Sequence, residues 1–561
     1  MKSDLEIAQA ARLREIGQVA ERVGIQQDEL ERYGRYKAKV DLSILKRLEG
    51  KPDGRYIVVT AITPTPLGEG KTVTNISLAL GLNRIGRKTI NTLRQPSMGP
   101  IFGVKGGATG GGHAQVVPME DINLHFTGDI HAVASAHNLL ASLVDNSLHH
   151  DNPLAFDPKE IYWNRTVDMN DRTLRDVVIG LGGTPNGITR ESGFDITAAS
   201  EVMAVLALAE GYVDLKQRLG SILVGRSRTG QPIWARDVSA QGAMAALLRD
   251  ALKPNLVQTL EGTACLMHAG PFANVAHGNN SIIADRIALK LADFVVTESG
   301  FGSDTGAEKF VDIKCRVSGL RPQAAVLVAT VRALKMHGGA FRNLKDKAKV
   351  EREDVDAVAR GCDNLDKHIE NIRLFGIPVV VAINRFPSDT EKEIAAIRSR
   401  ALEAGADDAV PHEGVVRGGE GAEALAKAVA QASSKPSTMQ FLYELDQPIE
   451  EKIRVIATKI YGASEIDLST RVQRRIEFFN QCGLGKLPIC MAKTPASLSH
   501  DPSLRGRPRG FKFPVTDIRA AAGAGFIYPL AGDIMTMPGL PASPAANGID
   551  VNESGKISGL F

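Results

Sequence analysis

Thr65-Pro66-Leu67-Gly68-Glu69-Gly70-Lys71-Thr72 joins a β-branched run, Tyr56–Ile62, to an apolar helical pattern, Thr72–Ile85. Two glycines, a lysine and a hydroxyl in that setting suit phosphate chemistry. Gly68 and Gly70 let the backbone turn its N–H groups inward and approach an anion closely. The helix that follows adds the positive end of its dipole. Lys71 can reach the outer phosphates of a nucleotide, and Thr72 can ligate Mg²⁺ beside them. The string ends in G-K-T as a Walker A loop does, with Thr65 in place of its first glycine. The bland alternative is a glycine-rich turn with a surface lysine. The position between strand and helix favours nucleotide binding by residues 65–72, with Lys71 as a candidate catalytic residue. No G-x-G-x-x-G occurs, so a dinucleotide fingerprint is unsupported.

The next candidate is Arg94. It ends a strand, Lys88–Leu93, and opens the string Arg94-Gln95-Pro96-Ser97-Met98-Gly99-Pro100. Open parallel sheets bind ligands outside the carboxyl ends of their strands, and a guanidinium is a fixed fork for carboxylate or phosphate oxygens. A structural arginine holding a loop is the alternative. Five glycines then fall within Gly106–Gly112; such a loop is either mobile or packed closely on a ligand or a backbone. His125 and Asp129 are candidates for orienting phosphate or Mg²⁺, although no H-x-x-x-H spacing accompanies them. Asp304 and Glu308, in a Gly-bounded loop after a strand, suit either Mg²⁺ or substrate orientation, or a surface or capping role.

These groups need a scaffold. Strand–loop–helix–strand over residues 56–93 reads as the βαβ unit of a parallel sheet. Phe294–Thr297, Ala324–Thr330 and Ile377–Ile383 read as further strands, separated by helical patterns such as Ala198–Glu210 and Gln241–Ala251. The expected fold is α/β: a P-loop-containing parallel sheet domain flanked by helices, with two smaller α/β domains. The expected domains are 1–360, with a helical lead-in, then 361–460 with a Gly-rich loop at 418–421, then 461–561. Asn343–Glu353 reads as a charged surface helix or linker.

Composition narrows the function. The 561 residues carry 67 Lys and Arg against 64 Asp and Glu, a formal charge of only +3. That balance does not ask for a polyanionic partner. The basic stretch around Arg505–Lys512 therefore reads as a solvated loop rather than a nucleic-acid site. No apolar run approaches the ~18 residues a membrane helix needs. The charged N-terminus has no signal-peptide pattern. Five dispersed cysteines without C-x-x-C indicate reduced, mostly buried thiols in a cytoplasmic protein.

TPLGEGKT, RQPSMGP and VVPMEDINLHFTGDIHA closely resemble the formate–tetrahydrofolate ligase (10-formyltetrahydrofolate synthetase) family. FDITAASEVMAV, HAGPFANVAHGNNS, FGSDTGAEKF and GDIMTMPGLP continue the likeness along the chain. The resemblance implies that ATP phosphorylates formate to formyl phosphate. The 10-position nitrogen of tetrahydrofolate then attacks the formyl carbon, giving 10-formyltetrahydrofolate, ADP and phosphate. It further implies Mg-ATP, a monovalent cation such as potassium as activator, and a cytoplasmic homotetramer serving one-carbon metabolism. Lys71 would neutralise the phosphates and Arg94 would hold formate and formyl phosphate. Phe301 would pack on formate or in the core. The family's folate-stacking phenylalanine corresponds to Phe386, and Val415 stands where the family has a tryptophan. Gln95 holds a position often occupied by glutamate in the family. The competing class is a P-loop ATPase acting as a partner-regulated switch.

Overall fold

The computed structural model describes residues 2–104, 109–341, 347–435 and 437–560. Part of the glycine cluster and part of Asn343–Glu353 lie outside these; Lys347–Glu351 is a short helix.

A mixed sheet dominates the α/β fold. Its main strands are β1 (Leu30–Arg32), β2 (Ala38–Val40), β3 (Arg55–Ala61), β4 (Thr89–Leu93) and β5 (Asn255–Thr259). They continue with β6 (Ala264–Met267), β7 (Phe294–Glu298), β8 (Ala324–Ala329), β9 (Val379–Asn384) and β10 (Asp408–His412). Across the sheet the order is β1-β2-β5-β6-β4-β7-β3-β8-β9-β10, and from β6 to β10 every pairing is parallel. β1, β2 and β5 form an antiparallel edge.

The flanking helices relevant to the site are α1 (Lys71–Arg84), α2 (Val331–His337), α3 (Val355–Leu374), α4 (Glu391–Glu403) and α5 (Glu423–Ala432). Farther on, α6 (Thr470–Gln481) lies outside the sheet. β3 shows why strand and helices cohere. Alternate side chains of a strand face opposite ways, and strands covered on both faces read as unbroken apolar runs. Ile57, Val59 and Ala61 pack with Leu78, Ala79 and Leu82 of α1 and Leu425, Ala426 and Val429 of α5. Tyr56 and Val58 join the core on the other side, with Val358, Leu365 and Ile369 of α3. Burying an aliphatic side chain of this size contributes about 1.5–3 kcal/mol. α1 packs so closely on the segment before α5 that a Cβ at Gly81 would lie 2.8 Å from the Ala422 carbonyl.

Two expectations change here. β3 and β4 flank α1 in sequence but are not neighbours in the sheet, because β7 pairs with both. The boundary expected near residue 360 falls between β8 and β9, which are paired strands of one sheet. Segment 361–460 therefore supplies β9 and β10 to the main sheet. Segment 461–561 carries small sheets of its own, including Ala492–Lys493 and Asp517–Ala521 paired on either side of Phe526–Ala531. All five cysteines are free thiols, and four are buried. No helix among the described residues is long and apolar enough to cross a membrane.

Candidate active site

The carboxyl ends of consecutive parallel strands bring the candidate groups together, as open α/β sheets do at their ligand crevices. Arg94 follows β4, Glu298 ends β7, the loop 62–70 follows β3, Phe386 follows β9, and Val415 follows β10. Arg332 lies on α2, directly after β8.

The loop geometry begins with Gly70. It precedes α1 with φ +76° and provides no side-chain cap. The first N–H groups of a helix lack intrahelical partners, so an uncapped N-terminus is ready for an anion. Lys71 and Thr72 open that helix. The loop's shape is held from outside the expected ligand space. Glu69 is buried, and its carboxylate accepts from Thr65 N at 2.7 Å and Thr65 Oγ1 at 2.9 Å. Glu69 therefore staples the loop, and burial raises its pKa. Gly68 N donates to Thr65 O at 3.0 Å. Asn384 Nδ2 donates to Glu69 O at 3.1 Å. Arg332 Nη2 donates to Leu67 O at 3.1 Å and Gly68 O at 3.3 Å. Pro66 and Gly68 stand exposed at the lip.

A Cβ at Gly70 would run into the Asn384 amide, and its backbone already lies in the left-handed region. Gly70→Ala is expected to cost about 1–2 kcal/mol from left-handed strain alone, before the clash is counted. Urea unfolding checks this; an unchanged midpoint at unchanged m-value would mean that the loop takes another path.

Thr72 Oγ1 donates to Glu298 Oε2 at 2.9 Å, and Glu298 is buried. Lys71 Nζ donates to Phe301 O at 3.4 Å. Phe301 has φ +52°, uncommon for a bulky residue and a form of strain that clusters at functional sites. On the other side of β7, Arg94 is partly buried. Its Nη1 donates to Pro271 O at 3.3 Å, while its Nε has no hydrogen-bond partner among the described residues. Desolvation pulls its pKa down and the Glu298 charge opposes that. Glu298 thus stands between Lys71 and Thr72 on one side and Arg94 on the other. Gln95 is buried, its N donates to Ala269 O at 2.7 Å, and its Oε1 has no hydrogen-bond partner among the described residues.

Phe386 and Val415 occupy the far side of the crevice. The Arg332 guanidinium lies 3.6 Å from the Phe386 ring centroid, over one face. Val415 is half-buried, and its carbonyl accepts from His113 N at 2.8 Å. His412 is buried between Thr74 Oγ1, at 3.1 Å, and Gly414 N, at 3.4 Å. Burial lowers its pKa to about 4, so it is neutral and fixed against α1.

Several sequence candidates sit elsewhere. Asp129 is buried in an ion pair with Lys39 at 2.7 Å and accepts from Asn255 at 2.7 Å. His125 is exposed. Asp304 is buried against Lys493 at 2.7 Å, and Glu308 is fully buried, so neither is a surface residue. Arg507 of the basic stretch pairs with Glu370 at 2.5 Å. The sequence reading missed Glu298, Arg332 and Asn384. Glu298 had a signal, being the first carboxylate at the end of an expected strand. Arg332 and Asn384 had none, since their roles depend on strand order. His277 was also missed: it is buried, neither ring nitrogen has a hydrogen-bond partner among the described residues, and burial with nearby Lys314 and Arg94 pushes its pKa well down.

Among the described residues, no group of three or more His, Cys, Asp or Glu side chains could hold a metal ion. The hard oxygens of Thr72 and Glu298 do fit Mg²⁺ of the kind held mainly by substrate phosphates, which needs only one or two protein ligands.

The family profile for formate–tetrahydrofolate ligase matches residues 2–561. A formate–tetrahydrofolate ligase of Desulforamulus reducens is 56% identical over 562 residues, covering 100% of this chain and 99% of that protein. One from Roseiflexus sp. (strain RS-1) is 57% identical over 563 residues, covering 100% of each. With a match of that extent, the chain belongs to the formate–tetrahydrofolate ligase family.

Proposed function

We propose that the chain joins formate to tetrahydrofolate, the two substrates its relatives' name gives, and that it does so with ATP, giving 10-formyltetrahydrofolate, ADP and phosphate through formyl phosphate. The observation that carries this reading is the placement of the uncapped α1 N-terminus, Lys71 and Arg94 around Glu298 at the carboxyl ends of the central strands β3, β7 and β4. Phosphoryl transfer needs positioned phosphates and neutralised charge more than covalent help from the protein. The backbone of residues 65–72 and the start of α1 cradle the nucleotide phosphates. Lys71 neutralises the phosphoryl group in flight. Mg²⁺, when bound with the nucleotide, supplies further neutralisation, with Thr72 and Glu298 on hand to hold it.

Arg94 offers its fork to formate and then to formyl phosphate. An acyl phosphate hydrolyses readily, so the crevice must exclude water. The described end of the glycine cluster, tied to Val415 through His113, helps to wall it. Phe386 presents to the pterin the face that Arg332 leaves uncovered. The same reading carries a cytoplasmic homotetramer, potassium activation and service in one-carbon metabolism. The test is ADP release with formate, tetrahydrofolate and Mg-ATP, each omitted in turn. The ligase requires all three. Sustained hydrolysis without formate would instead favour the switch ATPase.

Val415 leaves an aliphatic side chain where the family has an aromatic one. An aromatic partner contributes about 0.5–1.5 kcal/mol beyond area burial, roughly two- to tenfold in affinity. Val415→Trp is expected to lower the tetrahydrofolate KM by that factor and leave the formate KM nearly unchanged. His412→Ala should leave the folate KM alone, because the ring is buried against α1. A selective folate defect in His412→Ala would show that the loop is differently arranged.

A further inference from the structure

A cavity of about 610 Å³ opens between the strands Phe156–Ile161 and Leu223–Ser227 on one side and α6 with the strand Asp517–Ala521 on the other. None of Lys71, Arg94, Glu298 or Phe386 lines it. Its volume lies within the roughly 300–1,000 Å³ usual for small-molecule sites.

Its ionisable lining is mainly basic. Arg226, Arg471, Arg474, Arg475 and Arg519 all line it. Asp517 answers Arg475 at 2.5 Å, Arg471 at 3.5 Å and Arg519 at 3.7 Å, so one carboxylate serves three guanidiniums. The Arg474 side chain, on α6, has no hydrogen bond or ion pair among the described residues. Three carboxyl groups share the walls: Glu160 accepts from the Tyr162 hydroxyl at 2.8 Å, Glu201 accepts from Gly523 N at 2.7 Å, and Asp195 is the third. Burial pushes Glu201 up to about 8 and raises Asp195, whose Oδ1 has no hydrogen-bond partner among the described residues.

The remaining wall is aromatic. Trp163 stacks on His137 at 4.2 Å between centroids, Tyr162 is 38% exposed, and Arg226 lies 4.3 Å over the Phe478 ring. Guanidinium forks suit carboxylate and phosphate oxygens, and an aromatic wall suits a flat ring.

We propose that this cavity is a second ligand site, for an organic anion that joins a flat ring to carboxylate or phosphate groups. The proposal stands independently of the reaction at the loop site.

The chain has two tryptophans, Trp163 and Trp234. In a Trp234→Phe background, Trp163 emission reports the cavity alone. The probes are N-benzoyl-L-glutamate, a ring with two carboxylates, and uridine 5′-monophosphate, a ring with a phosphate. At least one should change Trp163 emission saturably, and which one does so separates a carboxylate ligand from a phosphate ligand. Arg226→Ala with Arg474→Ala should weaken that response at least tenfold, while the paired Lys variants retain part of it. Circular dichroism and thermal melting of each variant establish that it is folded. No saturable response to either probe overturns the proposal. So does a response that persists unchanged in the folded double-alanine variant, because the probe then binds elsewhere. Sedimentation showing an oligomer that dissociates in the double variant, with no probe response, would make this face a contact between copies instead.

Discussion

Lys71→Ala is expected to lower turnover by about 10²–10³-fold while the protein stays folded. Lys71 opens α1 with its Nζ toward the Phe301 carbonyl, beside the Thr72–Glu298 pair. A charge fixed there acts most strongly when the transferring phosphoryl group carries the most exposed charge. Removing one preorganised electrostatic group of this kind costs about 2.7–4 kcal/mol. An interaction made mainly in the transition state lowers kcat when lost, more than it raises KM. The measurement is steady-state kcat for ADP release, with thermal melting as the folding control. Near-normal turnover would remove Lys71 from the catalytic assignment.

Arg94→Lys is expected to cost ten- to a hundredfold in kcat/KM for formate. The position is desolvated, one Nη is committed to Pro271 O, and the Nε has no hydrogen-bond partner among the described residues. A planar fork can keep that anchor and still present donors to two oxygens, whereas lysine offers one compact charge. Losing a charge-assisted hydrogen bond costs about 1.5–3 kcal/mol. The defect should appear with formate and with supplied formyl phosphate, and calorimetric ATP affinity should stay near normal. Equal losses for ATP and formate would mean that Arg94 supports the whole crevice rather than the small acid.

The legible parts of the molecule were those with local causes. The β-branched runs gave strands within two residues of their true ends: Tyr56–Ile62 is β3 at Arg55–Ala61, and Ile377–Ile383 is β9 at Val379–Asn384. Glycine and G-K-T marked the turn from β3 into α1 because left-handed backbone there demands glycine. The order of strands was not legible. β7 enters between β3 and β4 from about 200 residues away, and no local pattern specifies that partner. Arg332 and Asn384 were missed for this reason, and the division near residue 360 was drawn through paired strands. Glu69 lay inside the recognised loop, but its inward staple to Thr65 depends on tertiary burial. A surface role was one of the alternatives open for Asp304 and Glu308, yet the surrounding chain buries both.

The central claim is that a formate oxygen becomes bonded to phosphorus. Formate labelled with oxygen-18 at both oxygens tests it directly. If formate attacks the γ-phosphorus, one labelled oxygen bridges carbon and phosphorus in formyl phosphate. Attack of the folate nitrogen on carbon then expels that oxygen with phosphate, and the other stays in the formyl group. Mass spectrometry of the released phosphate should therefore show one oxygen-18 per phosphate, in step with 10-formyltetrahydrofolate formed. Unlabelled phosphate released at the normal rate, with product forming, would contradict the account.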